Sequence, residues 1–157
     1  MGEAGTRASS NVHATAIVVA TTGLLFTGPS GSGKSTLAFT CMAAARRAGL
    51  FSALIADDQV FLDVVNGRVL ARRPQAIAGL MEFRGTGIAE IESLPQALIH
   101  AAVRIVNVGE SDRLPPENER FAVGGTVSLP LLRLAATTPD PLAVLCAFWP
   151  DLAGPAG

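Results

Sequence analysis

The chain has 157 residues, 49% of them hydrophobic and 16% charged, with a net charge of -1. That length suits one domain with a substantial apolar core. The near-neutral balance gives no electrostatic reason to expect nucleic acid or an acidic membrane surface as a partner.

Residues 1–10 are small and polar and read as a disordered tail. Residues 12–27 are rich in Ala, Val, Ile and Leu but lack a charged leader and an A-x-A cleavage site. The apolar run is too short to cross a bilayer, so a soluble, cytoplasmic protein is expected. Within it, 12–19 carry enough β-branched side chains for a strand, 21–23 turn, and 24–27 form a second strand.

That second strand runs into Gly28-Pro29-Ser30-Gly31-Ser32-Gly33-Lys34-Ser35-Thr36, a Walker A phosphate-binding loop. Residues 37–48 are mostly good helix formers, carry Arg46 and Arg47 in the last turn and stop at Gly49. Strand, loop and helix follow in the order the motif requires. The glycines let backbone N–H groups wrap around phosphates, and the helix adds the positive end of its dipole. Lys34 is expected on the β- and γ-phosphates and the Ser35 hydroxyl on Mg²⁺. Lys34 is also the only lysine among 12 basic residues, kept where a compact point charge is needed. Cys41 and Cys146 show no CxxC or metal spacing and read as free, buried thiols of a reducing compartment.

Residues 51–56 form a short buried strand ending at Asp57-Asp58. A parallel strand beside the phosphate-loop strand would deliver both carboxylates to the nucleotide, one as a metal ligand and one as a proton acceptor. The alternative is a turn or cap before the next hairpin, residues 60–65 and 68–71 around Asn66-Gly67, a type I′ signal. Residues 74–80 suit one or two helical turns, and 81–91 are mixed. There Glu82 could reach Mg²⁺ and Arg84 a phosphate, with Gly85 and Gly87 allowing close backbone approach; a surface ion pair beside a glycine turn is the rival reading.

Residues 98–108 alternate as a strand containing His100, which is assigned a structural role. Residues 110–120 are charged, contain Pro115-Pro116 and read as an exposed loop. Residues 121–134 suit two short strands. Asp140 caps a last helix with Pro141 at its first position, running to about Trp149. Without repeats or long linkers, the chain divides into a tail over 1–10, one domain over 11–149 and a loose tail over 150–157. His13, alone on its strand, reads on spacing as structural more readily than catalytic.

Together these segments resemble the bacterial HPr kinase/phosphorylase (HPr serine kinase) family. The matching residues are His13-Ala14-Thr15, the loop GPSGSGKS, Leu54-Ile55-Ala56-Asp57-Asp58-Gln59-Val60 and above all Gly79-Leu80-Met81-Glu82-Phe83-Arg84-Gly85-Thr86-Gly87-Ile88. Arg113-Leu114-Pro115 and Leu129-Pro130-Leu131-Leu132 fit the short alphaproteobacterial form, which lacks the N-terminal domain of longer members.

The resemblance implies an α/β fold: a P-loop core like that of phosphoenolpyruvate carboxykinase, with a mixed sheet and a β-hairpin. It implies transfer of the γ-phosphoryl of ATP to a serine of the phosphocarrier HPr or its nitrogen-branch paralogue, in regulation of carbon and nitrogen metabolism. Carried over, Asp57 becomes the proton acceptor, and the proton donor in reverse dephosphorylation. Lys34 and His13 become active-site residues, Ser35 and Glu82 Mg²⁺ ligands, and Asp58 a second metal ligand. The sequence departs from the family at Thr36, where many members carry an acid. Arg120 is its only candidate for the family's late arginine, and Ala135-Ala136-Thr137-Thr138-Pro139-Asp140-Pro141 replaces a loop linked to dephosphorylation. The resemblance admits a homo-oligomer. Two other classes compete: a small-molecule P-loop kinase, which would need an arginine-rich lid, and a non-catalytic ATP-binding regulatory module.

Overall fold

The computed structural model describes residues 9–109 and 114–154. Residues 1–8 of the tail expected over 1–10, residues 110–113 of the expected loop with the matching Arg113, and residues 155–157 lie outside the described residues. Strands β1 (Ser10–Val12), β2 (Ala14–Val19) and β3 (Thr22–Thr27) precede helix α1 (Lys34–Arg47). Then come β4 (Ser52–Ala56), β5 (Val60–Val65), β6 (Arg68–Arg72), β7 (Leu80–Phe83), β8 (Gly87–Glu90), β9 (Gln96–Ile99) and β10 (Ala101–Val106). Strands β11 (Arg120–Val123) and β12 (Val127–Ala135) and helix α2 (Pro141–Phe148) complete the order.

The architecture is α/β around a mixed six-stranded sheet, ordered β11-β12-β10-β3-β2-β4. β10 runs parallel to β3 and β12, while β2 runs antiparallel to both β3 and β4. An antiparallel sheet, β1-β5-β6-β9, and the hairpin β7-β8 accompany it.

Side-chain alternation explains why the large sheet is buried on both faces. Ile17, Val19, Leu24, Phe26, Val103 and Ile105 point to one face and pack with Leu37, Cys41 and Met42 of α1 and Leu145 of α2. Their neighbours Ala16, Val18, Leu25 and Ala102 point to the other face and pack with Leu62, Val69 and Ala71 of the small sheet. Each fully buried Leu, Ile or Phe contributes about 1.5–3 kcal/mol. Cys41 and Cys146 are free, Cys41 buried and Cys146 only partly so. Burial pushes the Cys41 thiol up to about 12, which makes it unreactive.

Several local expectations hold. Asn66 and Gly67 both have positive φ, 51° and 74°, as a type I′ turn demands. The Asp140 side chain accepts a hydrogen bond from Ala143 N–H at 3.1 Å, with Pro141 at the first helical position. Residues 74–80 give a single 3₁₀ turn, Gln75–Ile77, because Leu80 already belongs to β7. Residues 121–134 form one hairpin in which β12 is nine residues long, turning at Gly124 and Gly125.

Other boundaries move for a common reason. The expected strand over 12–19 is broken at His13, and the one over 98–108 at His100. At both histidines the chain leaves the small sheet and enters the large one. Pairing partners change there, although the β-forming composition continues. The tails are also held closer than expected. Ser10 pairs with Leu62, and Leu152 is only 3% exposed with its carbonyl accepting from Thr22 Oγ1 at 2.9 Å.

Gly23 fixes the second crossing. Its N–H donates to His100 Nδ1 at 2.9 Å, and its carbonyl accepts from His100 N–H at 2.8 Å. A Cβ at this position would run into the Leu98 carbonyl, which is backbone and cannot swing away. Gly23→Ala should therefore destabilise the protein by about 3 kcal/mol, at the top of the overpacking range. Urea unfolding measures this; an unchanged midpoint would show that β3 and β9 are not packed as described.

Candidate active site

The phosphate loop leaves β3 after Thr27 and re-enters regular structure at α1. Gly33 caps α1 with φ 101°, a left-handed conformation that ordinary residues rarely adopt, and supplies no capping side chain. The first turn of α1 carries no acidic residue, so its N–H groups remain open to an anion. Lys34 is 5% exposed and folds back over the loop, where Nζ donates to Gly28 O at 2.9 Å and Pro29 O at 3.1 Å. Burial lowers its pKa below 10.5, against the raising influence of Asp58 and Asp57.

Asp57 follows β4 and is 5% exposed. Its Oδ1 accepts from Ser35 Oγ at 2.6 Å and from Thr15 Oγ1 at 2.9 Å, and its Oδ2 from Glu82 N–H at 3.1 Å. The topology corrects one expectation. β4 does not lie beside β3, because antiparallel β2 stands between them. Since β2 opposes both neighbours, β3 and β4 still point the same way and end at the same edge. Thr15 lies on the intervening strand and bridges the gap that direct pairing would have closed. Its part went unrecognised in the sequence, where the only signal is a hydroxyl between Ala14 and Ala16 in an apolar strand.

Asp58 is turned away from this network by a positive φ of 70°, with Gln59 N–H bonded to Asp57 O at 2.9 Å. Its side chain is 63% exposed and lies 3.1 Å from His13 Nε2. The pairing explains this meeting. β1 lies against β5 with Val12 opposite Val60, and β2 against β4 with Ala16 opposite Ala56. The linkers carrying His13 and Asp57–Gln59 must therefore run side by side.

The hairpin β7-β8 brings in the remaining groups by strand alternation. Met81 is fully buried in the helix-facing core, and the Phe83 ring meets Phe39 of α1 edge-on at 4.9 Å. Glu82 therefore projects from the opposite face, and Arg84, in the turn that follows β7, lines the same cavity. The Arg84 guanidinium lies over Gly31, 3.1 Å from where a Cβ would stand. A cavity of about 190 Å³ results, lined by Ser30, Gly31, Gly33, Lys34, Ser35, Thr36, Asp57, Asp58, Glu82 and Arg84. His13 touches this group through Asp58. Arg120 does not join it: its guanidinium is engaged with Ser128 Oγ and O at the far edge of the large sheet.

Residues 6–106 match the HPr serine kinase C-terminal domain family. The chain belongs to this family. The HPr kinase/phosphorylases of Clostridium beijerinckii and Clostridium tetani are 32% and 33% identical to it over 85 residues, covering 54% of this chain and 26% of each relative. The matched region is thus about a quarter of those relatives' length. The HPr(Ser) kinase/phosphatase structure from Coxiella burnetii shares the fold, with a TM-score of 0.72 at 20% identity over 90% of this chain and 95% of that one.

In this HPr kinase domain the oxygen-rich donor set fits Mg²⁺. Ser35 Oγ–H donates a hydrogen bond to Asp57 Oδ1, which leaves the hydroxyl lone pairs free for a cation. Among the described residues no three His, Cys, Asp or Glu side chains cluster to cage a metal alone.

With one lysine in the chain, ¹³Cε labelling gives a single NMR signal that reports Lys34. In the nucleotide-free protein its titration midpoint should lie below 10.5. The unfolded chain then binds more protons between that midpoint and 10.5, so stability should rise with pH across this window. A midpoint at or above 10.5 would contradict the buried environment.

Proposed function

We propose that the chain is an ATP-dependent, Mg²⁺-using kinase that phosphorylates a serine of an HPr-like phosphocarrier protein, HPr or its nitrogen-branch paralogue, in the cytoplasm. The supporting observation is that Asp57 links the phosphate-loop serine to the Glu82–Arg84 hairpin within one cavity. Phosphate-loop sites commonly set an acidic residue beside the loop serine; the added feature is that this carboxylate also accepts from the backbone of Glu82. The family's most specific segment is thus tied to the loop by a buried carboxylate. The relatives' names supply the class of acceptor.

In this reading Lys34 exchanges the carbonyls of Gly28 and Pro29 for β- and γ-phosphate oxygens, and Arg84 meets the transferring group from above Gly31. Mg²⁺, held by Ser35 and Glu82, would neutralise the phosphate oxygens. The acceptor hydroxyl oxygen bonds to the γ-phosphorus as the bond to the β–γ bridging oxygen breaks and ADP departs with that electron pair.

The hydroxyl proton must go to a carboxylate within reach. Hydrogen bonding supports exchanging the roles the sequence suggested for the two aspartates. Asp57 has both oxygens occupied by donors and almost no exposure. Asp58 is open to an incoming hydroxyl and has His13 beside it to hold its orientation. Asp58 is therefore proposed as the proton acceptor, and Asp57 as the group that positions Ser35 and the hairpin.

Incubation with [γ-³²P]ATP, HPr and the paralogue tests both levels. Label should reach the acceptor protein and vanish when its target serine is replaced by alanine. Label on a small metabolite instead would sink the kinase assignment. Asp58→Asn should lower kcat roughly 10²–10⁴-fold, with ATP affinity kept within about a factor of two. Full activity in that variant would return the proton-acceptor role to Asp57.

A further inference from the structure

The cavity between the loop and the hairpin, about 190 Å³, is smaller than the roughly 300–1,000 Å³ of sites that enclose a drug-sized molecule. It suits phosphates and a metal but not a nucleoside as well. A second cavity of about 660 Å³ lies against the same loop and shares Ser30 and Gly31 with the first. We propose that this second cavity, walled by Pro29, Val106, Asn107, Val108, Ala136 and Thr137, holds the base and ribose of the nucleotide. The inference rests on the kinase reading, since it assumes that the phosphate loop takes a triphosphate.

Topology supports the assignment. β3, β10 and β12 are mutually parallel neighbours, so their carboxyl ends, Thr27, Val106 and Ala135, open on one edge. Ligands of α/β sheets settle outside those ends. The loop after β3 is the phosphate loop, and the segments after β10 and β12 form the second cavity. Ala136 N–H donates to Val106 O at 3.1 Å, which fastens the two segments together as one wall.

The chemistry also suits a nucleoside. Val106, Val108 and Ala136 offer apolar surface to a ring face. The Asn107 and Thr137 side chains offer hydrogen bonds to ring nitrogens or ribose hydroxyls, with Asn107 Oδ1 also accepting from Gly109 N–H at 3.3 Å. Ser32 Oγ, at the boundary with the loop, is buried and has no hydrogen-bond partner among the described residues. The opposite side of the loop carries Asp58, Glu82 and Arg84, the side on which an acceptor would arrive. A base in the second cavity leaves that approach clear.

The test compares Mg-ATP with Mg-tripolyphosphate, which has the phosphates and no nucleoside, by calorimetry. Ala136→Leu and Thr137→Ile fill the cavity at exposed positions without adding an aromatic ring that could stack on the base. Each should raise the Kd for ATP roughly tenfold and leave tripolyphosphate binding unchanged. Unchanged ATP binding in both variants would overturn the proposal. Equal losses for ATP and tripolyphosphate would overturn it too, since the cavity would then only support the loop. Lys34→Ala should weaken both ligands. A wild-type protein that binds neither would instead refute the kinase reading, and the nucleoside site with it.

Discussion

Asp57 gathers three donors from three different parts of the chain onto one buried carboxylate: Ser35 of α1, Thr15 of β2 and the backbone of Glu82 in β7. A charge at 5% exposure is expensive unless hydrogen bonds compensate it, and each bond to a charged acceptor contributes about 1.5–3 kcal/mol. The compensation is also a geometric constraint. If any one donor moves, the carboxylate loses a partner in a place water barely reaches. The helix that begins at the phosphate loop, the strand beside it and the hairpin carrying Glu82 and Arg84 are thereby held in one register.

The rest of the architecture makes that convergence possible. The chain passes between the large and small sheets at His13, at Asp57–Gln59 and at His100. Two of these passages lie side by side and create the meeting of His13 and Asp58. The third is stitched to β3 by the two hydrogen bonds between Gly23 and His100. Phe83 against Phe39 and Met81 in the core then anchor the hairpin from beneath. The hairpin can be precise because its apolar face is packed while its polar face is offered to the cavity.

What the sequence made legible was local. The loop's glycines and lysine, the Asn66-Gly67 turn and the Asp140-Pro141 cap are each determined by a few adjacent residues, and they stand where expected. What depended on distant pairing was not legible. Nothing in residues 12–19 announces that β2 intervenes between β3 and β4, so the route by which Asp57 reaches the loop was misjudged. Asp57 and Asp58 are the same residue in the same motif; only the positive φ at 58 and the donors around 57 separate them. Leu152 looked like tail because what holds it is distant in sequence: its side chain joins the helix-facing core, and its carbonyl accepts from Thr22, 130 positions away.

A double-mutant cycle on Mg²⁺-dependent ATP binding, with Ser35→Ala and Asp57→Asn, tests most directly whether the buried carboxylate acts through the loop hydroxyl. If it does, the two residues form one unit, and the double variant should bind Mg-ATP about as well as the poorer single variant. If the two losses instead add to within about 0.5 kcal/mol, the residues act independently, and Asp57 is not the organiser of this site.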